Sequence, residues 1–110
     1  MRTGADYRQS LQDGRNVWVL GEGPVGDVAS HPATVAMVDE YCAWYDRHFD
    51  VVWQDVLLTG PDGDGTRRPL AFEEPKTSAH LRSLGKALRE VFSLNGGNIT
   101  HTPGYGALIA

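Results

Sequence analysis

A chain of 110 residues, 41% hydrophobic and 22% charged, has the length and composition of one globular domain rather than of a disordered or fibrous segment. Its formal net charge of −4 argues against nucleic-acid binding, because phosphate contacts need a concentrated basic surface. No apolar run approaches the roughly 20 residues of a membrane span and the N-terminus lacks the apolar core of a signal peptide, which predicts a cytoplasmic protein without a membrane segment.

The first predicted element is a short helix whose start is marked chemically. Thr3 can accept an amide hydrogen bond from the first turn while Asp6 reaches back to it, which is the spacing of a capping box. The pair Asp13-Gly14 predicts a turn at the end of this helix, and residues 16–20 predict a short strand. The GEGPVGD segment that follows is predicted to be a Gly-rich turn rather than a phosphate-binding loop, because it has neither a P-loop lysine nor the GxGxxG order.

A longer amphipathic helix is predicted to start between Ser30 and Pro32, because proline suits the first turn, where its missing N–H is not needed. Its apolar face recurs at steps of three and four residues and comprises Val35, Val38, Cys42, Tyr45 and Phe49. The simpler interpretation assigns this face to the core. The alternative is a surface kept for another subunit, since Tyr and Trp are enriched at interfaces.

A β-hairpin is predicted next, from residues 55–59 and 67–72, because they flank PDGDG, whose Asp-Gly pairs favour chain reversal. The last clear element is a helix that Thr77 or Ser78 caps and that Gly96 ends in the left-handed conformation. Its apolar stripe comprises Leu81, Leu84, Leu88, Val91 and Phe92, while Arg82, Lys86 and Arg89 are predicted to face water. Together these elements predict a single domain over residues 1–110 of the α+β class, mainly α with a short β-hairpin.

Metal and disulfide chemistry is not expected. Cys42 is the sole cysteine, so it can form no intrachain disulfide, and we predict that it is a small core residue. His31 is expected at the entry of a helix, while His48 and His80 lie at no metal-ligand spacing. No metal site is therefore predicted.

The segment HTPGY, residues 101–105, is the best candidate for a functional site. Thr102 and Pro103 suit the start of a helix, so His101 is predicted to lie at its positive end. There a neutral imidazole can donate a hydrogen bond to an electron-rich oxygen. We predict that His101 and Tyr105 form one wall of a pocket whose other walls belong to a partner. The alternative is a frayed tail.

Several short motifs occur together in this chain: TGADYRQSLQDGRNVWVLGE near the N-terminus, Asp27-Val28, His31-Pro32, Tyr45-Asp46, the helix entry at residues 75–81, and HTPGY. In this order the chain resembles the N-terminal part of the 4-hydroxyphenylacetate 3-hydroxylase family, the oxygenase components of two-component flavin monooxygenases. The resemblance runs from Thr3 to Tyr105.

The resemblance implies an oxygenase that takes reduced FAD from a separate flavin reductase and hydroxylates a small aromatic, phenol-like substrate. It implies the fold of the helical N-terminal domain of acyl-CoA-dehydrogenase-like flavin monooxygenases, which a β-barrel domain and a helical bundle follow. Because the flavin site of that family is built largely from the later domains, we expect a larger oxygenase subunit to bind most of the FAD. This chain would be the small subunit of that enzyme, inactive alone.

The resemblance also assigns roles within HTPGY. The family usually carries Arg at the position of His101 and Tyr at that of Tyr105, and both side chains are implied to bind the substrate and to act in catalysis. His is titratable and donates singly, unlike Arg, and Gly104 stands where the family commonly has Asp. The catalytic small subunit is the favoured interpretation, and the alternative, with which these two departures are consistent, is a non-catalytic structural or regulatory subunit that stabilises the large chain. A third possibility is a piece of a longer oxygenase.

Overall fold

Four helices and one two-stranded hairpin make up residues 1–98, the part of the chain that the computed structural model describes. In chain order the elements are α1 (Gly4–Ser10), β1 (Val17–Val19), β2 (Gly23–Val25), α2 (Val35–Arg47), α3 (Val51–Leu57), a 3₁₀ turn (Leu70–Phe72) and α4 (Ser78–Phe92). The predicted class, mainly α with a short hairpin, is therefore confirmed. No helix within residues 1–98 is long and apolar enough to cross a membrane.

Helix α1 begins with the predicted capping box. The amide of Asp6 donates to Thr3 Oγ1 (3.1 Å), and the amide of Thr3 donates to the Asp6 carboxylate (2.9 Å). The helix packs chiefly on α2, and Gly4 lies at the closest approach. The Gly4 amide donates to Asp46 Oδ1 at 2.7 Å, so the first turn of α1 is attached to the last turns of α2.

The hairpin lies in a different place from the one predicted. The strand expected at residues 16–20 is present as β1, but its antiparallel partner is β2, within the segment predicted to be only a turn. The prediction of a hairpin around PDGDG is wrong. Its first predicted strand, residues 55–59, overlaps α3 (residues 51–57), and its second, residues 67–72, overlaps the 3₁₀ turn (residues 70–72). One isolated bridge, between Leu58 and Pro69, remains there.

The physical reason for that error is burial. Asp50 caps α3 by accepting from the Val52 amide at 3.0 Å, and Leu57 is buried in the core that Trp44 occupies. As a helix, this segment packs Trp53, Val56 and Leu57 against that core together. The β-branched residues at the start of the segment favour a strand locally and do not indicate this burial.

The longer predicted helix is shorter than expected. Residues 32–34 form a turn, and α2 starts at Val35, just after Thr34, whose hydroxyl donates to Val28 O (2.6 Å). It ends at Arg47, so Phe49 falls in the link to α3. Part of the predicted apolar face enters the core: Val38 is buried, and Cys42 and Tyr45 pack against the buried clusters, whereas Phe49 is 47% exposed. Trp44, which lies outside that predicted face, is 1% exposed.

Two buried clusters hold the described residues together. One comprises Trp44, Leu57, Leu70, Ala71, Ala87 and Val91, and the other comprises Leu11, Val28, Ala29 and Val38. The Tyr7 ring packs against Tyr41 and Tyr45 at centroid distances of 5.6 and 5.3 Å. Cys42 is partly buried beside the second cluster, and its thiol donates to Gly4 O at 3.3 Å.

Helix α4 begins as predicted, since Thr77 Oγ1 accepts from the His80 amide at 3.0 Å. Only part of its predicted apolar stripe enters the core. Leu84 and Val91 of that stripe are buried, whereas Leu81 is 58% exposed and Leu88 and Phe92 are only partly buried; Ala87, outside the predicted stripe, is buried as well. The three predicted water-facing cations, Arg82, Lys86 and Arg89, are exposed.

Candidate functional site

The predicted catalytic and substrate-binding residues, His101 and Tyr105, lie outside the described residues, as do Thr102 and Gly104. The structure therefore describes the framework that leads to this segment and not the two side chains themselves.

The chain leaves α4 through a hydrogen-bonded turn. The Gly97 amide donates to Phe92 O (2.9 Å), and Gly96 and Gly97 have φ values of +63° and +89°. Asn95 Oδ1 also accepts from the Gly97 amide (3.1 Å), and Asn95 Nδ2 donates to Asn98 O (2.8 Å). This is the glycine-based helix ending predicted from the sequence. It sets the backbone direction at residue 98, three positions before His101 in the sequence.

Arg47 supports the end of α4 from α2. Its guanidinium lies 4.6 Å from the ring centroid of Trp53 on α3, and its Nη1 is 3.4 Å from both Glu90 O and Ser93 Oγ on α4. A cation is favourable there, because the carbonyls at a helix C-terminus carry partial negative charge. Arg47 thus joins three helices beside the turn. The sequence analysis missed it, since two of its partners are more than 40 residues away.

A second polar centre lies at Asp27, within a motif that carries the family resemblance. Its carboxylate accepts from the Ser30 hydroxyl (2.7 Å), the Ala29 amide (2.9 Å) and Gln12 Nε2 (2.8 Å). These hydrogen bonds, that of Ser30 foremost, lower the pKa of Asp27 below its usual value. Asp27 holds the segment before α2 in shape and ties it to the end of α1.

Arg8 makes the corresponding contact from α1. Its Nη1 donates to Ala29 O (2.9 Å), and its other terminal nitrogen pairs with Asp39. An open cleft of about 380 Å³ lies between α1 and this segment. Four of its polar side chains are already bonded, Gln12 and Ser30 to Asp27 and Arg8 to Ala29 O and Asp39, so their arrangement is that of a structural network rather than of a reactive site.

Two histidines have defined partners. His31 Nε2 is 3.1 Å from the Glu22 carboxylate and its Nδ1 accepts from the Ala33 amide, so it links the hairpin to the approach to α2. His48 is 1% exposed, and its Nδ1–H donates to Trp44 O at 2.8 Å. Burial lowers the pKa of His48, which keeps the ring neutral. Its role is in the core.

The described residues do not fit a flavin by themselves. Their clefts are open and hold about 350 to 560 Å³. The arginines that line them are already paired with carboxylates: Arg8 with Asp39, Arg15 with Asp13, and Arg67 with Asp55. The Gly-rich segment forms part of the hairpin. Within residues 1–98, no group of three or more His, Cys, Asp or Glu residues could hold a metal ion.

Comparison with known families and proteins gives a consistent result. A family model described as "4-hydroxyphenylacetate 3-hydroxylase N terminal" matches residues 3–110. The FADH(2)-dependent monooxygenase TftD of Burkholderia cepacia is 39% identical over 96% of this chain and 21% of its own length. The oxygenase component of 4-hydroxyphenylacetate 3-monooxygenase of Escherichia coli is 35% identical over 96% and 20%. The chain thus spans about a fifth of the length of these relatives.

Solved structures agree with the sequences. The crystal structure of HpaB, the oxygenase component of 4-hydroxyphenylacetate 3-monooxygenase, matches with a TM-score of 0.84 at 28% identity, over 99% of this chain and 23% of that one. Its complex with FAD and 4-hydroxyphenylacetate matches with a TM-score of 0.74 at 28% identity, over 86% and 20%. The expected fold, that of the N-terminal domain in acyl-CoA-dehydrogenase-like flavin monooxygenases, is confirmed.

Proposed function

The chain belongs to the 4-hydroxyphenylacetate 3-hydroxylase family, and we propose that it is the small subunit of a two-component, FADH2-dependent monooxygenase that hydroxylates a phenol-like aromatic compound. One observation carries this proposal: nearly the whole chain superposes on an oxygenase component of that class, with a TM-score of 0.84. We assign the barrel and the helical bundle to a larger subunit, a division consistent with the chain's match to about a fifth of such proteins.

We propose that His101 and Tyr105 form the substrate side of the shared active site. Tyr105 hydrogen-bonds to the substrate oxygen, as the resemblance implies. His101, where the family usually has Arg, donates one hydrogen bond from a neutral imidazole to the oxygen that gains charge during hydroxylation. The described framework supports this role, because Arg47 and the hydrogen bonds within residues 95–98 fix the end of α4 and the turn that precedes HTPGY in the sequence.

We assign most of the FAD binding to the larger subunit. The open clefts of residues 1–98 and their paired arginines support this division. Reduced FAD supplies the oxygen-activating chemistry when bound, and a separate flavin reductase delivers it through a transient encounter. We further propose that residues 1–110 form one domain and that the complex works in the cytoplasm.

Co-expression with the large oxygenase chain encoded in the neighbouring reading frame tests the proposal. We expect the two chains to elute together with a flavin absorbance spectrum after FAD is added, and to hydroxylate a phenol when a reductase and NADH are supplied. His101→Ala and Tyr105→Phe should each lower turnover at least tenfold without dissociating the complex. His80→Ala on α4 should leave turnover unchanged. Unaltered turnover in both of the first two variants would refute the assigned roles.

A second candidate function rests on His101 and Gly104, the two departures from the family pattern in HTPGY. In this alternative the chain is a non-catalytic structural or regulatory subunit that stabilises the large chain. Full hydroxylation by the large chain alone would favour it, and dependence of turnover on Tyr105 would exclude it.

A further inference from the structure

Helix α4 carries two strips of side chains besides the one that enters the core. We call Leu81, Gly85, Leu88 and Phe92 the outer strip, and Arg82, Lys86 and Arg89 the basic strip. At 100° per residue the outer strip lies between the core-facing residues and the basic strip. The three strips therefore follow one another around the helix.

The outer strip is apolar but lies outside the core. The core side of α4 is taken by Leu84, Ala87 and Val91, which are buried. Leu81 is more than half exposed, and Leu88 and Phe92 are only partly buried. An amphipathic helix in a lone domain places polar residues at such positions, so this surface is suited to a further contact.

Gly85 lies in the middle of the outer strip and is not required by the chain's own structure. A Cβ built there meets nothing within 4 Å, in contrast to Gly4, and the backbone is helical with no positive φ. Glycine in a helix interior destabilises it relative to alanine. A notch of this kind permits the close approach of another backbone, and no atom of the described residues fills it.

The basic strip indicates the charge of the surface that approaches. Within residues 1–98, Arg82, Lys86 and Arg89 take part in no ion pair, although the chain has a formal net charge of −4. A second copy docked on the same face would bring like charges together, which is unfavourable. The complementary surface is therefore apolar with an acidic border.

We propose that the outer strip docks an apolar helix of the larger oxygenase subunit, with Gly85 at the closest approach and the basic strip facing acidic residues of that helix. This inference rests on the proposed function. It is supported by the fact that this chain covers only 23% of the HpaB chain on which it superposes, which leaves most of such a protein available to contact this unit.

The test measures the affinity of the full-length chain for the separately purified large oxygenase chain by titration calorimetry at two salt concentrations. Leu81→Glu should weaken binding at least tenfold, because it places a charge in the apolar contact. Gly85→Ala should weaken binding several-fold while raising the Tm of the free chain by about 2 to 8 °C. Arg82→Glu with Arg89→Glu should weaken binding and reduce its salt dependence. The matched control is Val52→Glu on α3, which is 73% exposed and should leave affinity unchanged.

The outcomes separate this surface from the proposed function. If the wild-type chain binds and the α4 variants bind equally well, the docking surface is wrong and the proposed function stands. If the wild-type chain does not bind the large chain, both are wrong. If the free chain dimerises and Leu81→Glu abolishes the dimer, the occupant is a second copy and the inference is overturned.

Discussion

Gly4→Ala is a sharp test of how α1 is attached to α2. A Cβ at Gly4 would lie 2.6 Å from Cys42 O and 2.9 Å from Cys42 Cα, and also 2.7 Å from Asp46 Oδ2. The first two are backbone atoms of α2, which a side-chain rotation cannot move away. Helix α1 must therefore shift outward.

The expected loss combines two effects. Overpacking at such a contact destabilises by about 1–3 kcal/mol. The outward shift also weakens the hydrogen bond that the Gly4 amide donates to the Asp46 carboxylate at 2.7 Å, and a hydrogen bond to a charged group contributes about 1.5–3 kcal/mol. We expect the free energy of unfolding to fall by about 3–5 kcal/mol and the Tm by about 10 °C or more.

Urea and thermal unfolding, followed by circular dichroism, measure this change. Gly85→Ala is the matched control, because it makes the same substitution in a helix where the new Cβ has open space. It should stabilise the chain by about 0.5–1 kcal/mol. A loss below about 1 kcal/mol for Gly4→Ala would contradict the argument, and so would a shift of the same sign in both variants.

The remaining predictions concern a buried histidine, a hydrogen-bonded carboxylate and an arginine. Burial lowers the pKa of His48, so below its unfolded value of about 6.5 the unfolded chain binds a proton that the native state does not. The free energy of unfolding should then fall as pH drops below about 6.5, and His48→Asn, which keeps an N–H donor for Trp44 O, should flatten that slope. The lowered pKa of Asp27 predicts a further loss below about pH 4, which Asp27→Asn should reduce in acid titrations of stability. Arg47→Met should lower the free energy of unfolding by about 1 kcal/mol, because it removes the contacts with Trp53 and the end of α4; an unchanged denaturation midpoint would show that these contacts contribute little.

The family motifs carried more information about function than the local patterns did. The order of TGADYRQSLQDGRNVWVLGE, Asp27-Val28 and HTPGY indicated the family, which the comparisons with relatives and solved structures confirm. The roles of His101 and Tyr105 stay predictions, because both residues lie outside the described part of the chain. The sequence shows Asp27 only as part of a motif, whereas the structure shows the three hydrogen bonds that its carboxylate accepts.

The sequence by itself determined the features that depend on neighbours within a few positions. The capping box of Thr3 and Asp6, the Thr77 cap and the left-handed glycine at residue 96 were all predictable, because each satisfies the backbone groups of its own helix end. Such interactions are local, and residue type and spacing suffice to indicate them.

Only the tertiary structure decided which residues are buried from solvent. It made residues 51–57 a helix on the Trp44 core, paired β1 with β2, and placed Gly4 against Cys42. These outcomes depend on the burial of surfaces far apart in the chain, and a local pattern that suits either a helix or a strand does not contain that information. The same burial left one apolar strip of α4 outside the core, which no periodicity could have distinguished from the strip inside it.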